Sequence, residues 1–153
     1  MKAKQQAGFT LVELVVVIVI LGILAATAIP KYAAYTKQAR LAALNGLVGA
    51  INSANMVVQG RFVATGGAAA NSPVTMIDGT TVAVNTAVGV NYGFAISNAG
   101  GIGNAVNTQG GFVYTAGAAV GTFNFATAVA GCNVTYTNAT GQALVVDTGC
   151  TSC

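Results

Sequence analysis

The chain has 153 residues, 54% apolar and 6% charged, with a net charge of +3 and no histidine. That hydrophobicity excludes global disorder, and the missing imidazole removes histidine triads, histidine metal sites and histidine proton shuttles. From Phe62 onward the only charged side chains are Asp78 and Asp147, too little positive charge to screen phosphates, so no nucleic acid binding is expected from the body.

Lys2 and Lys4 make residues 1–8 a short basic leader. From Phe9 to Pro30 the sequence is apolar except for Glu13. As a helix this run spans roughly 33 Å, about one bilayer core. An ordinary secretory signal has a shorter apolar region followed by a small-residue cleavage site, which Ala25-Ala26-Thr27-Ala28 imitates. The positive leader predicts a cytoplasmic N-terminus with the rest of the chain exported. A lone carboxylate in such a segment is costly, which marks Glu13 as a functional candidate. Gly22 and Pro30 weaken the helix. Proline removes a hydrogen bond and clashes with the preceding turn, so a kink is expected near Ala26 to Pro30.

Lys31 follows the apolar run and can snorkel at an interface. Beyond it, Leu44, Leu47, Val48, Ile51, Ala54 and Val58 recur at three- and four-residue steps, the signature of an amphipathic helix. Ala39, Ala42, Ala43, Gly46, Gly49 and Ala50 are small enough to allow close approach of other helices or of the body. The helix is expected to end near Gln59-Gly60. A helix of that length needs lipid or neighbours along its first half.

Residues 61–110 are rich in Gly, Ala, Asn and Thr. Weak strands are expected at Val74 to Ile77, Thr80 to Val84 and Val88 to Ile96, and a glycine-rich loop from Ser97 to Gly111. Gly100-Gly101-Ile102-Gly103 lacks the Lys-Ser/Thr of a phosphate loop. Phe112 to Thr115, Thr122 to Val129, Asn133 to Thr137 and Ala143 to Asp147 have strand composition, and Asn138-Ala139-Thr140-Gly141 is a turn sequence. The expected fold is α+β, with a small antiparallel sheet packed on the amphipathic helix.

Gly8-Phe9-Thr10-Leu11-Val12-Glu13, the apolar run, Gly22 and Pro30 together resemble the N-terminus of type IV pilins, most closely the class a pilins, and of the related pseudopilins. The resemblance covers residues 1 to about 30, and more loosely the helix to about 60. It implies cleavage after Gly8 by a prepilin peptidase, N-methylation of the new first residue, Phe9, and a role for Glu13 in methylation and assembly. In filaments of that family the matching carboxylate neutralises the N-terminal amine of a neighbouring subunit. Both charges are expensive in a low-dielectric bundle, and pairing offsets much of the cost. The spacing alone also permits a contact within one chain. Pro30-Lys31, the Ala/Gly-rich helix and the C-terminal cysteines are loosely similar to mannose-sensitive haemagglutinin pilins.

Cys132, Cys150 and Cys153 form an odd set. Export permits disulfides. A Cys132–Cys150 bond would staple the final hairpin and stabilise it by about 3 kcal/mol, and it resembles the C-terminal disulfide loop of type IV pilins. A Cys132–Cys153 bond closes nearly the same loop. Cys150-Thr-Ser-Cys153 has redox spacing without the βαβ context of a redox domain. Asp78 and Asp147 are too few for a calcium site. The chain departs here from the major secretion pseudopilins, whose C-terminal loop binds calcium. Neither metal nor cofactor is expected. Asn133-Val-Thr135 and Asn138-Ala-Thr140 fit the N-glycosylation pattern, a match that arises by chance in an Asn- and Thr-rich chain.

The expected organisation is a leader at 1–8, an apolar membrane or filament-core helix at 9–30, an amphipathic helix at 31–60 and a β-rich head at 61–153. The expected role is structural rather than enzymatic. The chain would be an inner-membrane precursor that polymerises, with the pilus assembly machinery, into a surface filament serving adhesion, motility or DNA uptake. The alternative is a secretion or competence pseudopilin forming a short periplasmic piston.

Overall fold

The computed structural model describes residues 9–87, 92–108, 110–127 and 129–148. The chain divides into two compact units, residues 1–36 and 37–153. One helix, α1 (Leu11–Ala64), contributes to both.

In the first unit α1 is apolar on every side. The large hydrophobic side chains from Phe9 to Ile29 are all exposed, and none of the apolar stretch is buried within the chain. A helix that is hydrophobic all round is suited to lipid or to neighbouring helices, and by length and composition this one can cross a membrane. It passes through Gly22 and Pro30 as one continuous helix. Pro30 leaves the Ala26 carbonyl without its N–H partner, which a helix tolerates where other donors are at hand.

In the second unit one stripe of α1 turns inward. Leu44, Leu47, Ile51, Val58 and Phe62 are buried, while Val48 and Ala54 flank them half-buried. Full burial of each large apolar side chain is worth about 1.5–3 kcal/mol. The helix continues past the expected stop at Gly60 to Ala64. Phe62 explains the extension: it is fully buried and meets Tyr92 edge-on, with ring centroids 5.1 Å apart.

After α1 comes a 3-10 turn (Ala69–Asn71), then a two-stranded hairpin, β1 (Val74–Thr75) with β2 (Thr81–Val82). Val84 bridges to Ala95. The first two expected strands are therefore real but shorter than their composition suggested, and residues 88–91 of the third lie outside the described residues. The expected loop from Ser97 to Gly111 contains one helical turn, α2 (Ile102–Ala105), pinned by the buried Ile102.

The last forty residues form an antiparallel meander of β3 (Phe112–Thr115), β4 (Val120–Phe125), β5 (Asn133–Thr137) and β6 (Gln142–Val146), in that order across the sheet. Alternate residues point into the core: Phe123 from β4, Val134 and Tyr136 from β5, Ala143 from β6. Side chains alternate faces along a strand, so one face covers the inward stripe of α1. On β3 and β4, Phe112 pairs with Phe125 and Tyr114 with Phe123, and both aromatic pairs are in contact, at 5.0 and 4.5 Å between centroids. The long helix packed on small antiparallel sheets is the α+β arrangement expected from the sequence.

Candidate functional site

The first candidate is the start of α1. Thr10 precedes the helix, and its carbonyl accepts from Leu14 N–H. The Thr10 backbone N–H and hydroxyl both donate to Glu13 Oε2, at 2.9 and 2.8 Å, and Glu13 N–H donates back to Thr10 Oγ1 at 3.3 Å. This is a capping box, in which Thr at the N-cap and Glu three residues on satisfy each other's orphan donors. The Thr10-x-x-Glu13 spacing is the sequence signal of this cap, a role for Glu13 separate from its charge in an apolar segment. Phe9 stands just outside the box and is 87% exposed. Gly8 lies outside the described residues.

Gly22 sits mid-helix with open space around it: nothing lies within 4 Å of where a Cβ would stand. Thr27, between Gly22 and Pro30, donates its hydroxyl to the Leu24 carbonyl at 3.0 Å. A small residue, a hydroxyl bonded to the helix backbone and a proline thus fall within three turns of one exposed apolar helix, the set of devices that lets a helix bend.

The second candidate is the body's internal framework. Asn55 lies on the inward stripe of α1, four residues after Ile51 and three before Val58, and is almost fully buried. Its Nδ2 donates to the Gly141 carbonyl at 2.7 Å, and its Oδ1 accepts from Ala95 N–H at 2.8 Å. One amide thereby joins the helix, the β5–β6 turn and the segment before Ser97. Tyr136 buries its ring and donates its hydroxyl to the Ala95 carbonyl. Ser97 is held three ways. Its N–H donates to Asn138 Oδ1, its hydroxyl donates to the Gly117 carbonyl, and its carbonyl accepts the Tyr114 hydroxyl. Asn138 also donates through Nδ2 to the Ala118 carbonyl at 2.8 Å. Burial pushes the Tyr114 and Tyr136 hydroxyls up to about 12.

Among the glycines at close approaches, Gly141 and Gly121 bear on this framework. Gly141 closes the β5–β6 turn at φ +64°, and a Cβ there would run into the Phe94 ring. Gly121 on β4 lies under the Tyr114 hydroxyl, which a Cβ would displace.

Three surface hollows flank the inward stripe. One of about 490 Å³ is lined by Val48, Met56, Phe94 and Leu144 with Asn52 and Gln142. A second, of about 460 Å³, runs between Ala54, Val57 and Val58 of α1 and the β1–β2 turn, where Ile77 and Asp78 sit. A third, of about 270 Å³, lies between Arg40, Gly111, Phe125 and Val129. Asp78 accepts from Thr80 N–H at 2.9 Å, which holds its carboxyl below the usual carboxylate range.

Cys132 is fully buried. Cys150 and Cys153 lie outside the described residues. Among the described residues no three of His, Cys, Asp and Glu gather to hold a metal ion. Of the two glycosylation-pattern asparagines, Asn133 is set in β5 between two paired strands, and Asn138 is spent on Ser97 and Ala118.

The geometry so far defines a class: a small α+β body on a helix whose N-terminal half is apolar all round and begins with a capped carboxylate. The comparison with known families gives the particular. Residues 3–29 match the family model described as the prokaryotic N-terminal methylation motif, typical of type IV pilins and pseudopilins. The chain carries that motif, and with it the implication of prepilin peptidase processing and entry into an assembly pathway. The motif points to a structural subunit rather than an enzyme, and to a precursor anchored in a membrane by its apolar helix. No curated protein and no solved structure matches the chain.

Proposed function

We propose that this protein is a major subunit of a type IV pilus. The observation that carries the reading is the junction of motif and helix. Gly8-Phe9-Thr10-Leu11-Val12-Glu13 opens a helix whose large apolar side chains to Ile29 are all exposed in the single chain. Such a surface is stable in lipid before assembly and against identical helices after it. Residues 1–8 act as the leader, residues 9–30 as the membrane and filament-core segment, residues 31–60 as the amphipathic bridge and residues 61–153 as the head. The prepilin peptidase cuts after Gly8, and Phe9 becomes the methylated first residue.

Cleavage also creates a cation at Phe9. In a bundle of apolar helices that amine and Glu13 are each costly alone and tolerable as a pair. A subunit added out of step leaves both unpaired, so the pair sets register. The surface of the head is supplied by Asn, Thr, Ser and Gln rather than by charge, which leaves little repulsion between copies. Cys132 pairs with Cys150, as in the C-terminal loop of the pilins it resembles.

A secretion or competence pseudopilus is the second reading, favoured by the same motif. The head argues for the pilus, because Asp78 and Asp147 are its only acids and cysteines stand where secretion pseudopilins place a calcium loop. The deciding experiment is shearing of intact cells followed by intact-mass measurement. Long filaments whose subunit has lost residues 1–8 and gained one methyl group are expected. Their absence even on overexpression sinks the pilus reading in favour of the pseudopilus. Gly8→Phe is expected to leave the precursor mass unshifted.

A further inference from the structure

The β1–β2 turn carries an apolar side chain with no place in its own core. Ile77 is 97% exposed at the tip. Beside it Asp78 is fixed by its bond to Thr80 N–H, and Gly79 completes the turn at φ +85°. The tip is thus an aliphatic knob followed by a carboxylate, on a rigid turn.

The complement lies elsewhere on the same body. The hollow at Arg40 is lined by the apolar side chains of Phe125 and Val129 together with Arg40 itself. It is large enough to admit one branched aliphatic side chain. Arg40 and Asp78 are opposite charges on a body that has few, and neither forms an ion pair among the described residues. They cannot meet within one chain. The turn stands beside Ala54, Val57 and Val58, and Arg40 and Val57 are separated by roughly 25 Å along α1.

We propose that the Ile77-Asp78 tip of one copy docks in the Arg40 hollow of a second copy, with Ile77 against Phe125 and Val129 and the carboxylate on the guanidinium. Each copy then offers a knob at one level of α1 and a socket at another. Such a head-to-tail contact repeats without using itself up, and unless the rotation between copies closes a ring it generates an open filament. The inference rests on the polymerising reading above and adds to it the pair of surfaces that sets neighbour spacing in the outer shell. The apolar knob supplies the contact, and the charge pair supplies choice of partner and orientation.

The test is charge exchange in the full-length chain, expressed as the sole pilin in its own host. Asp78→Arg and Arg40→Asp are each expected to lower the yield of sheared filaments about tenfold, because each juxtaposes like charges. The double exchange D78R/R40D restores the yield to near that of the unaltered chain. Asp78→Asn keeps the turn acceptor and removes the charge, and gives a milder loss of a few fold. Ile77→Ser lowers yield without changing the membrane-bound precursor pool. Full yield from both single exchanges overturns the proposal. So does a double exchange as poor as the singles while the processed subunit accumulates at normal levels. No filaments from the unaltered chain would sink the pilus reading itself, and this contact with it.

Discussion

Thr10 and Glu13 complete one another at the head of α1: two Thr10 donors converge on one Glu13 oxygen, and the Glu13 N–H returns to the Thr10 hydroxyl. Glu13 therefore already has a structural task before any neighbour is present. Substitution separates that task from its charge. Glu13→Gln retains the reciprocal cap, since glutamine also completes the box, but cannot neutralise an amine. The Gln variant is expected to insert normally and, as the sole subunit, to assemble as poorly as Glu13→Ala, with filament yield down by about tenfold or more. Normal filaments from the Gln variant would refute charge pairing and leave the cap as the operative feature.

Asn55 gives a prediction for the body. Its amide serves a buried carbonyl at Gly141 and a buried N–H at Ala95. Asn55→Leu fills similar space and leaves both groups unsatisfied. The expected loss is about 2–4 kcal/mol, from two buried polar groups at roughly 1–3 kcal/mol each with partial relaxation. Urea unfolding of residues 37–153 followed by circular dichroism measures it. A midpoint unchanged by the substitution would show that the clamp is dispensable.

The buried tyrosines predict a one-sided pH dependence. Tyr114 and Tyr136 titrate near 12 in the folded chain, raised from 10.0 by burial. The unfolded chain releases these protons first, so the contribution of the two tyrosines to folding stability is constant below pH 10 and falls as pH rises from about 10 towards about 12. Alkaline unfolding should coincide with the late phase of phenolate absorbance. Tyr136→Phe should soften that dependence, at a cost of about 1 kcal/mol at neutral pH from the lost bond to Ala95. An alkaline midpoint indifferent to Tyr136→Phe and Tyr114→Phe would contradict this account.

The proposed Cys132–Cys150 pairing can be separated from its alternative by mass. Cys150→Ser should abolish the native loop linkage and lower stability by about 3 kcal/mol, while Cys153→Ser leaves a disulfide-linked peptide joining Cys132 to Cys150 in a non-reducing digest. A surviving linkage in Cys150→Ser with loss in Cys153→Ser would reverse the assignment.

What was legible in the sequence followed from periodicity and covalent motif. The stripe Leu44, Leu47, Ile51 and Val58 announces itself because an apolar face must repeat every three or four residues. The strand β5 matches its expected bounds because alternating Val134 and Tyr136 face the core. Phe62 was hidden behind Gly60, a weak helix former whose penalty was outweighed by burying an aromatic ring, so tertiary packing carried the helix on. The turn α2 was hidden because one buried isoleucine, not any pattern, fixes it. Asn55 left a signal that can be used: a polar side chain at a position the apolar period assigns to the core is either a clamp or a defect, and here it is a clamp. The start of α1 was legible as a motif but not as a cap, because reading Glu13 for its charge obscured its spacing from Thr10.

The bonds of Asn138 bear on what the last hairpin can be used for. Asn138 and Gly141 are both committed, one to Ser97 and Ala118, the other to Asn55 and the Phe94 ring. Between them Ala139 and Thr140 are exposed. The tip is therefore a two-residue platform bolted at both ends, a place where a foreign peptide can be grafted in place of Ala139 and Thr140 without loosening the strands beneath. A polymer of this chain would carry such a graft once per subunit, as a regularly spaced multivalent display.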